Sequence, residues 1–388
     1  MKVSNIMRWA LVALLGLTGL AHTHGLVRQA PVEFGSPAAP PSRMEADGTI
    51  VEDWGRLAFT IAGEGIPATG PVAVEASRIA NVVPAAAAKA KRGPLEITTT
   101  AFRSPTYPAG TDVVTLQIKN TSAAPVSAKL GVPLPDGARV GKRTVIWGGR
   151  IILTLPMPIE VDAKKRAWGC DDDSTPMPGW GRPDVECDPA FRNIRAGMNG
   201  VPIVYKFSVT PGSSHDVVLG LCESHWESSG MRPVVLKVEG APPVTVDPLA
   251  RWGRHKPGAL AFQAKDENGD GTLVVSALPA PGAPDPNPIL NVIWLFPAGT
   301  NPNLDQVILG RMNAVATRTV DVGGETDQSL YLPGKAEYSL SIPAGGTTEL
   351  TFFVGAAGGS APMPGKSGWT LETLRKAAVE VNRDWKER

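Results

Sequence analysis

The strongest constraint on this chain is period two. In TDVVTLQIKN, Val114, Leu116 and Ile118 alternate with Thr115, Gln117 and Lys119. PVSAKLGVPL repeats the pattern through Val126, Ala128, Leu130 and Val132, and VPIVYKFSV through Val201, Ile203, Tyr205, Phe207 and Val209. Successive side chains of a strand point to opposite faces, so each segment is a half-buried antiparallel strand with one apolar face. The 42 glycines and 37 prolines lie between such runs, where they punctuate turns. The expected fold class is all-β.

At 388 residues the chain exceeds what one core usually holds. Periodicity is lost from 157 to 195 and the earlier strand style returns after Pro297, in EYSLSIP and TTELTFFVG. Residues 49–160 and 301–360 are therefore expected to share one β-sandwich, with 161–300 placed between them; three domains in series is the competing arrangement. Residues 22–48, Ala/Pro-rich and aperiodic, read as a flexible leader, and Ala85–Ala90 as a helical turn or loop. Near the end, Leu371, Leu374, Ala378, Val381 and Trp385 fall on one helical stripe, with Thr370 placed to cap it. Such a helix over 367–388 suits a linker to a further helical domain or a terminal helix docked on its own sandwich.

The first residues resemble an export signal. Lys2 and Arg8 precede the apolar run Trp9–Leu20, and Gly19 and Ala21 supply small residues for cleavage. That stretch is too short to span a bilayer. The expected location is secreted or periplasmic, with residues 1–21 removed and no membrane span afterwards. Cleavage there would expose His22, whose amine and ring could chelate copper; the Pro-rich text that follows favours an ordinary leader. In an oxidising compartment Cys170 and Cys187, which bracket a turn-rich loop, are expected to form a disulfide, with Cys222 a buried free thiol. Net charge is +1 with signs well mixed, which argues against a nucleic-acid partner.

The central block carries a family resemblance. YKFSVTPGSSHDVVLGLCE reads as strand, turn and a strand ending in Glu223. MRPVVLKVEG follows with Gly230, Arg232 and Gly240, then VTVDPLARWG with Asp247 and Gly253, and three closing strands in ALAFQA, DGTLVV and ILNVIWLF. This order resembles malectin and malectin-like carbohydrate-binding domains. The resemblance implies a jelly-roll sandwich that binds oligosaccharide through loops at one end. The family's Gly-Gly and paired-Tyr segment has only NIRAGMNG as its nearest counterpart. The overall order is also similar to the N-terminal β-sandwich and linker helix of bacterial glycoside hydrolases.

Sugars are bound by stacking on aromatic rings while polar groups take the hydroxyls. The tryptophans in polar loops, Trp180, Trp226 and Trp252, with His225, Glu227 and Arg254 beside them, are therefore the candidate carbohydrate-binding residues. Trp294, between Ile293 and Leu295, reads as core. Glu223 with Glu227 or Asp247 could be drawn as a hydrolytic carboxylate pair; a scaffold role for Glu223 is the stronger reading, and no catalytic residue is assigned. In DENGDG, Asp266, Asn268 and Asp270 stand at the spacing of a calcium loop, but position 12 is Ala277, so a hairpin turn competes with Ca2+. No other cofactor is indicated. These features predict a secreted carbohydrate-binding protein, the non-catalytic front part of a polysaccharide-processing protein. A glycoside hydrolase with a helical catalytic domain beyond residue 388, and a structural or protein-binding sandwich, are the alternatives.

Overall fold

The computed structural model describes residues 31–36, 39–104, 110–159, 165–324, 327–331, 334–364 and 370–386. The signal-like segment, His22 and the Trp385 side chain lie outside the described residues. The architecture is all-β, with every paired strand in the sheets antiparallel and a helix near the C-terminus. No helix among the described residues is long and apolar enough to cross a membrane.

An eight-stranded sheet contains the four long neighbours Val72–Ile79, Val83–Arg92, Leu95–Ser104 and Thr111–Asn120, in that order. Strand Thr347–Gly355 then pairs with Thr111–Asn120 on one side and Arg150–Thr154 on the other. A second sheet faces it, in which Val126–Pro133 lies between Lys335–Ile342 and Thr60–Ala62. The alternating residues of the two sheets face the space between them: Val114, Leu116, Ile118, Leu130, Val132, Tyr338 and Ile342 are almost wholly buried. Strands from beyond residue 334 thus complete sheets begun before residue 155.

The intervening residues pair among themselves. Five strands, centred on Ile203–Ser208 and Thr272–Pro279, pack over a four-stranded sheet built on Ser214–Leu221 and Val292–Pro297. The latter sheet also includes Arg318–Asp321. A short sheet of Thr175–Met177, Ile194–Ala196 and Ile289–Leu290 closes one end. Trp294 is fully buried, as expected, with its indole N–H on Asn313 Oδ1 at 2.7 Å.

Three local expectations need correction. Residues 32–34 and 42–44, read as flexible leader, are strands of a four-stranded meander that buries Phe34 and Met44. Their alternation spans only three residues each, too short to register as a period. Ala85–Ala90 is neither helix nor loop but part of the strand Val83–Arg92. Ala86 and Ala88 face the sandwich core while Ala85 faces the C-terminal helix, and a strand covered on both sides at close range selects small side chains. That helix, Leu371–Lys386, docks on its own sandwich through Leu374 and Ala378. Thr370 caps it, its Oγ1 accepting from the Thr373 N–H at 3.2 Å. The buried stripe continues to Asn382 instead of Val381, which is 42% exposed. Asn382 is tolerated there because its amide donates to Ala378 O at 2.8 Å.

The meander is tied to the large sheet by a buried charge cluster. Arg103 donates to both oxygens of Asp112 and to Ser42 Oγ, and Ser42 donates to Glu52 Oε2 at 2.7 Å. Arg103 therefore bonds one buried carboxylate directly and reaches the second only through Ser42, and Glu52 Oε1 has no hydrogen-bond partner among the described residues. Burial, and then the charge of Asp112, push the Glu52 carboxyl well above its ordinary value of 4.5. Below that pH the folded and unfolded chains both hold the proton. Above it the unfolded chain releases the proton and the folded chain retains it, so stability falls as pH rises through the folded value. Glu52→Gln, which mimics the protonated form, is expected to melt like the natural protein near pH 4.5 and higher than it at neutral pH. Thermal unfolding followed across that range checks this.

Candidate functional site

The loop after strand Ser214–Leu221 has to leave the sheet with its carbonyls and amides partnered. Glu223 does this from within. Only 2% exposed, it accepts from the His225 N–H (2.7 Å) and the Trp226 N–H (3.2 Å) through Oε1, and from Arg232 through Oε2 at 3.0 Å. Its carbonyl accepts from the His255 N–H at 2.8 Å. Arg232 also bridges to Asp285, by Nε at 2.8 Å and a terminal nitrogen at 2.6 Å. Asp285 in turn accepts the Trp226 indole N–H at 2.7 Å and the Asn287 N–H at 3.0 Å.

The result is a closed polar frame: two carboxylates, one guanidinium, one indole. Burial works against the charge on Asp285, but the Trp226 N–H and Arg232 outweigh it and hold its carboxyl below the usual range. Glu223 and Asp285 already accept seven N–H contacts between them, three on Glu223 and four on Asp285, so neither is displayed as a free acid or base. The frame is scaffold, and what it positions is Trp226.

Trp226 lines a cavity of about 410 Å³. Its floor is the short end sheet, which contributes Met177, Ile194, Ala196 and Ile289, with Met198 beside them. Trp180, 57% exposed, and Trp226 supply aromatic surface, and His225 stands edge-on to Trp226 with ring centres 4.8 Å apart. Arg182 and Arg254 line the opening. Arg254 pairs with the exposed Glu227 at 2.8 Å.

Four of the residues expected to bind sugar, Trp180, Trp226, His225 and Arg254, therefore line one cavity, with Glu227 one ion pair away. Trp252 does not join them. It ends the short helix Pro248–Trp252, which Asp247 caps by accepting from Leu249 and Ala250 N–H. Its ring lies over Gly258, where a Cβ would come within 2.0 Å of it, and Arg251 stacks on it at 5.4 Å. Asp266, Asn268 and Asp270 do not line the cavity either: they form the turn from Gly258–Lys265 to Thr272–Pro279, which is not the expected hairpin, because those two strands pair in different sheets. Asp266 accepts from the N–H groups of Gly212, Gly269 and Gly271, and Asp270 and Asn268 bond one another and their own backbone. Among the described residues no group of three or more His, Cys, Asp or Glu side chains is disposed to hold a metal ion.

The expected Cys170–Cys187 disulfide is not formed; both thiols are free. Cys170 faces the core between the two larger central sheets, whereas Cys187 packs on the opposite side of the sheet that holds Trp294. Arg232 and Asp285, which hold the site together, were not among the expected site residues. Arg232 had a signal, the Gly-x-Arg before a strand; Asp285, in a proline-rich turn, had none.

No family model matches the chain, and no curated protein matches it in sequence. Solved structures do. The ANX1 ectodomain from Arabidopsis thaliana is similar over 51% of this chain and 82% of its own, at 7% identity and a TM-score of 0.26. The plant receptor-like kinase ANX2 is similar over 69% and 96%, at 8% identity and 0.28. A Bacteroides uniformis β-glucuronidase is similar over 47% and 27%, at 11% identity and 0.24. These are the two kinds of protein the sequence resembles, plant malectin-like ectodomains and bacterial glycoside hydrolases. Superpositions this loose carry no argument about ligand or chemistry.

Arg232→Met removes the one cation between two buried carboxylates. Stability is expected to fall by about 3–5 kcal/mol, the cost of leaving a buried charge unpaired, with Trp226 fluorescence shifted to the red. Chemical denaturation followed by tryptophan emission measures both.

Proposed function

We propose that this protein is a secreted carbohydrate-binding module whose ligand lies in the cavity between Trp180 and Trp226, as the non-catalytic front part of a polysaccharide-processing protein. The observation that carries this reading is the pairing of aromatic surface with polar groups around one concave site. A sugar ring offers C–H groups on its faces and hydroxyls at its edge, and needs both kinds of partner. Trp180 and Trp226 suit the faces. Arg182, Arg254, His225 and Asn287 suit the edge.

The apolar floor narrows the ligand. Met177, Ile194 and Ile289 offer no hydrogen bond, so a ring buried against them would do so by a C–H face or an apolar substituent. The same site argues for binding over hydrolysis. Glycoside cleavage needs two carboxyl groups free to exchange protons or attack, and Glu223 and Asp285 are committed to Arg232, Trp226 and backbone donors. Secretion rests on the charged and apolar N-terminal run.

Glycan-array and titration binding test the proposal. Trp226→Ala and Trp180→Ala should each weaken glycan binding by about tenfold or more, the usual cost of truncating an aromatic anchor. Trp180→Ala should leave the melting temperature unchanged, because that ring is mostly exposed. A protein that binds no glycan, or binds equally well after both substitutions, refutes the reading.

A further inference from the structure

The segment from Trp180 to Phe191, whose Trp180 and Arg182 line the cavity, is pinned to the end of strand Ser214–Leu221 at two places. At the first, the Arg182 N–H donates to Ser224 Oγ at 2.9 Å. At the second, the Asn291 side chain spans both partners: its amide donates to Phe191 O at 3.1 Å while its Oδ1 accepts from the Cys222 N–H at 2.8 Å. The Phe191 ring also rests on Gly220, where a Cβ would stand 2.9 Å from it. Each pin falls at or within two residues of Cys222.

Cys187 lies between the pins. It packs on the cluster of Phe191, Val218 and Trp294, of which buried Cys222 is a member. Cys170 belongs to a different core, with its sulfur 3.9 Å from Ser174 Oγ. We propose that Cys187 and Cys222 are the disulfide partners of this protein, forming a staple that ties the segment after Trp180 to the end of strand Ser214–Leu221. Cys222 itself lines that cavity.

The bond requires an oxidant, and a small-molecule disulfide such as oxidised glutathione supplies one. The Cys187 thiolate attacks it, forming a mixed disulfide and releasing one small thiolate. The Cys222 thiolate then attacks the Cys187 sulfur and displaces the second. Two protein thiols lose two electrons and two protons, and the reagent is reduced to two thiols. Burial pushes both thiols up, Cys222 to about 11; Cys187 is half-buried where Cys222 is wholly buried, so Cys187 is the more accessible first nucleophile.

The test reads the bond itself and is independent of any glycan. The full chain is purified without reductant, equilibrated with oxidised glutathione, denatured and alkylated, then digested unreduced and mapped by mass. The expected map has one linked peptide pair joining Cys187 to Cys222, alkylation confined to Cys170, and an intact mass lower by two hydrogens. In Cys187→Ser, at a half-buried position that spares the core, the linked pair should vanish and Cys222 become alkylated. Alkylation of both Cys187 and Cys222 in the natural protein, or a bond from either to Cys170, overturns the proposal.

Discussion

The structure depends on one backbone ladder. Strand Thr347–Gly355 lies inside the large sheet, hydrogen-bonded along its full length to Thr111–Asn120 and at its far end to Arg150–Thr154. Without it both neighbours would expose unpaired amides and carbonyls over a buried apolar face. The chain must therefore return from its long excursion to the place it left. The cost of closing such a loop grows only slowly with length, so the excursion can be large provided its ends meet. They do: Leu330 and Gln328 bond across to Cys170, and Arg166 to Leu330. Asp327 at that seam accepts from Arg139, Arg195 and the Tyr205 hydroxyl.

Buried charge is used twice, with opposite results. In the frame under Trp226, one arginine meets two carboxylates, but an indole and three backbone amides add donors until both acids are satisfied. Asp285 is accordingly held below its usual range. Beneath the N-terminal meander, Arg103 bonds Asp112 directly but reaches Glu52 only through Ser42, and burial with the charge of Asp112 pushes Glu52 up. Donor supply and burial both differ, and burial is the larger cause of the rise at Glu52. The first arrangement fixes a loop for binding. The second makes a tie that weakens as pH rises.

The candidate site is a product of the end sheet. Its three strands come from residues 175–177, 194–196 and 289–290, far apart in sequence, and together they lay an apolar floor beneath loops that are polar. Met177, Ile194 and Ile289 have no feature that marks them as site residues in isolation. Trp180 and Trp226 do, because a tryptophan among Gly, Ser and Arg has no adjacent apolar partner to pack on. Trp252 has the same local signature, and Gly258 provides the partner that takes it out of the site.

What the sequence determined by itself was whatever repeats locally: alternating strands, hence an all-β fold, a capped amphipathic helix, and polar loops bearing tryptophan. Periodicity reports which face of an element is buried, because that depends on neighbours two to four residues away. It was silent where burial came from both sides, as at Ala85–Ala88, or where strands were three residues long, as at Val32–Phe34. Tertiary structure alone decided which cysteines share a core, which tryptophans share a cavity, and that Asp285 would meet Arg232. Those outcomes turn on a few ångströms between segments tens to hundreds of residues apart, and no local pattern encodes such a distance.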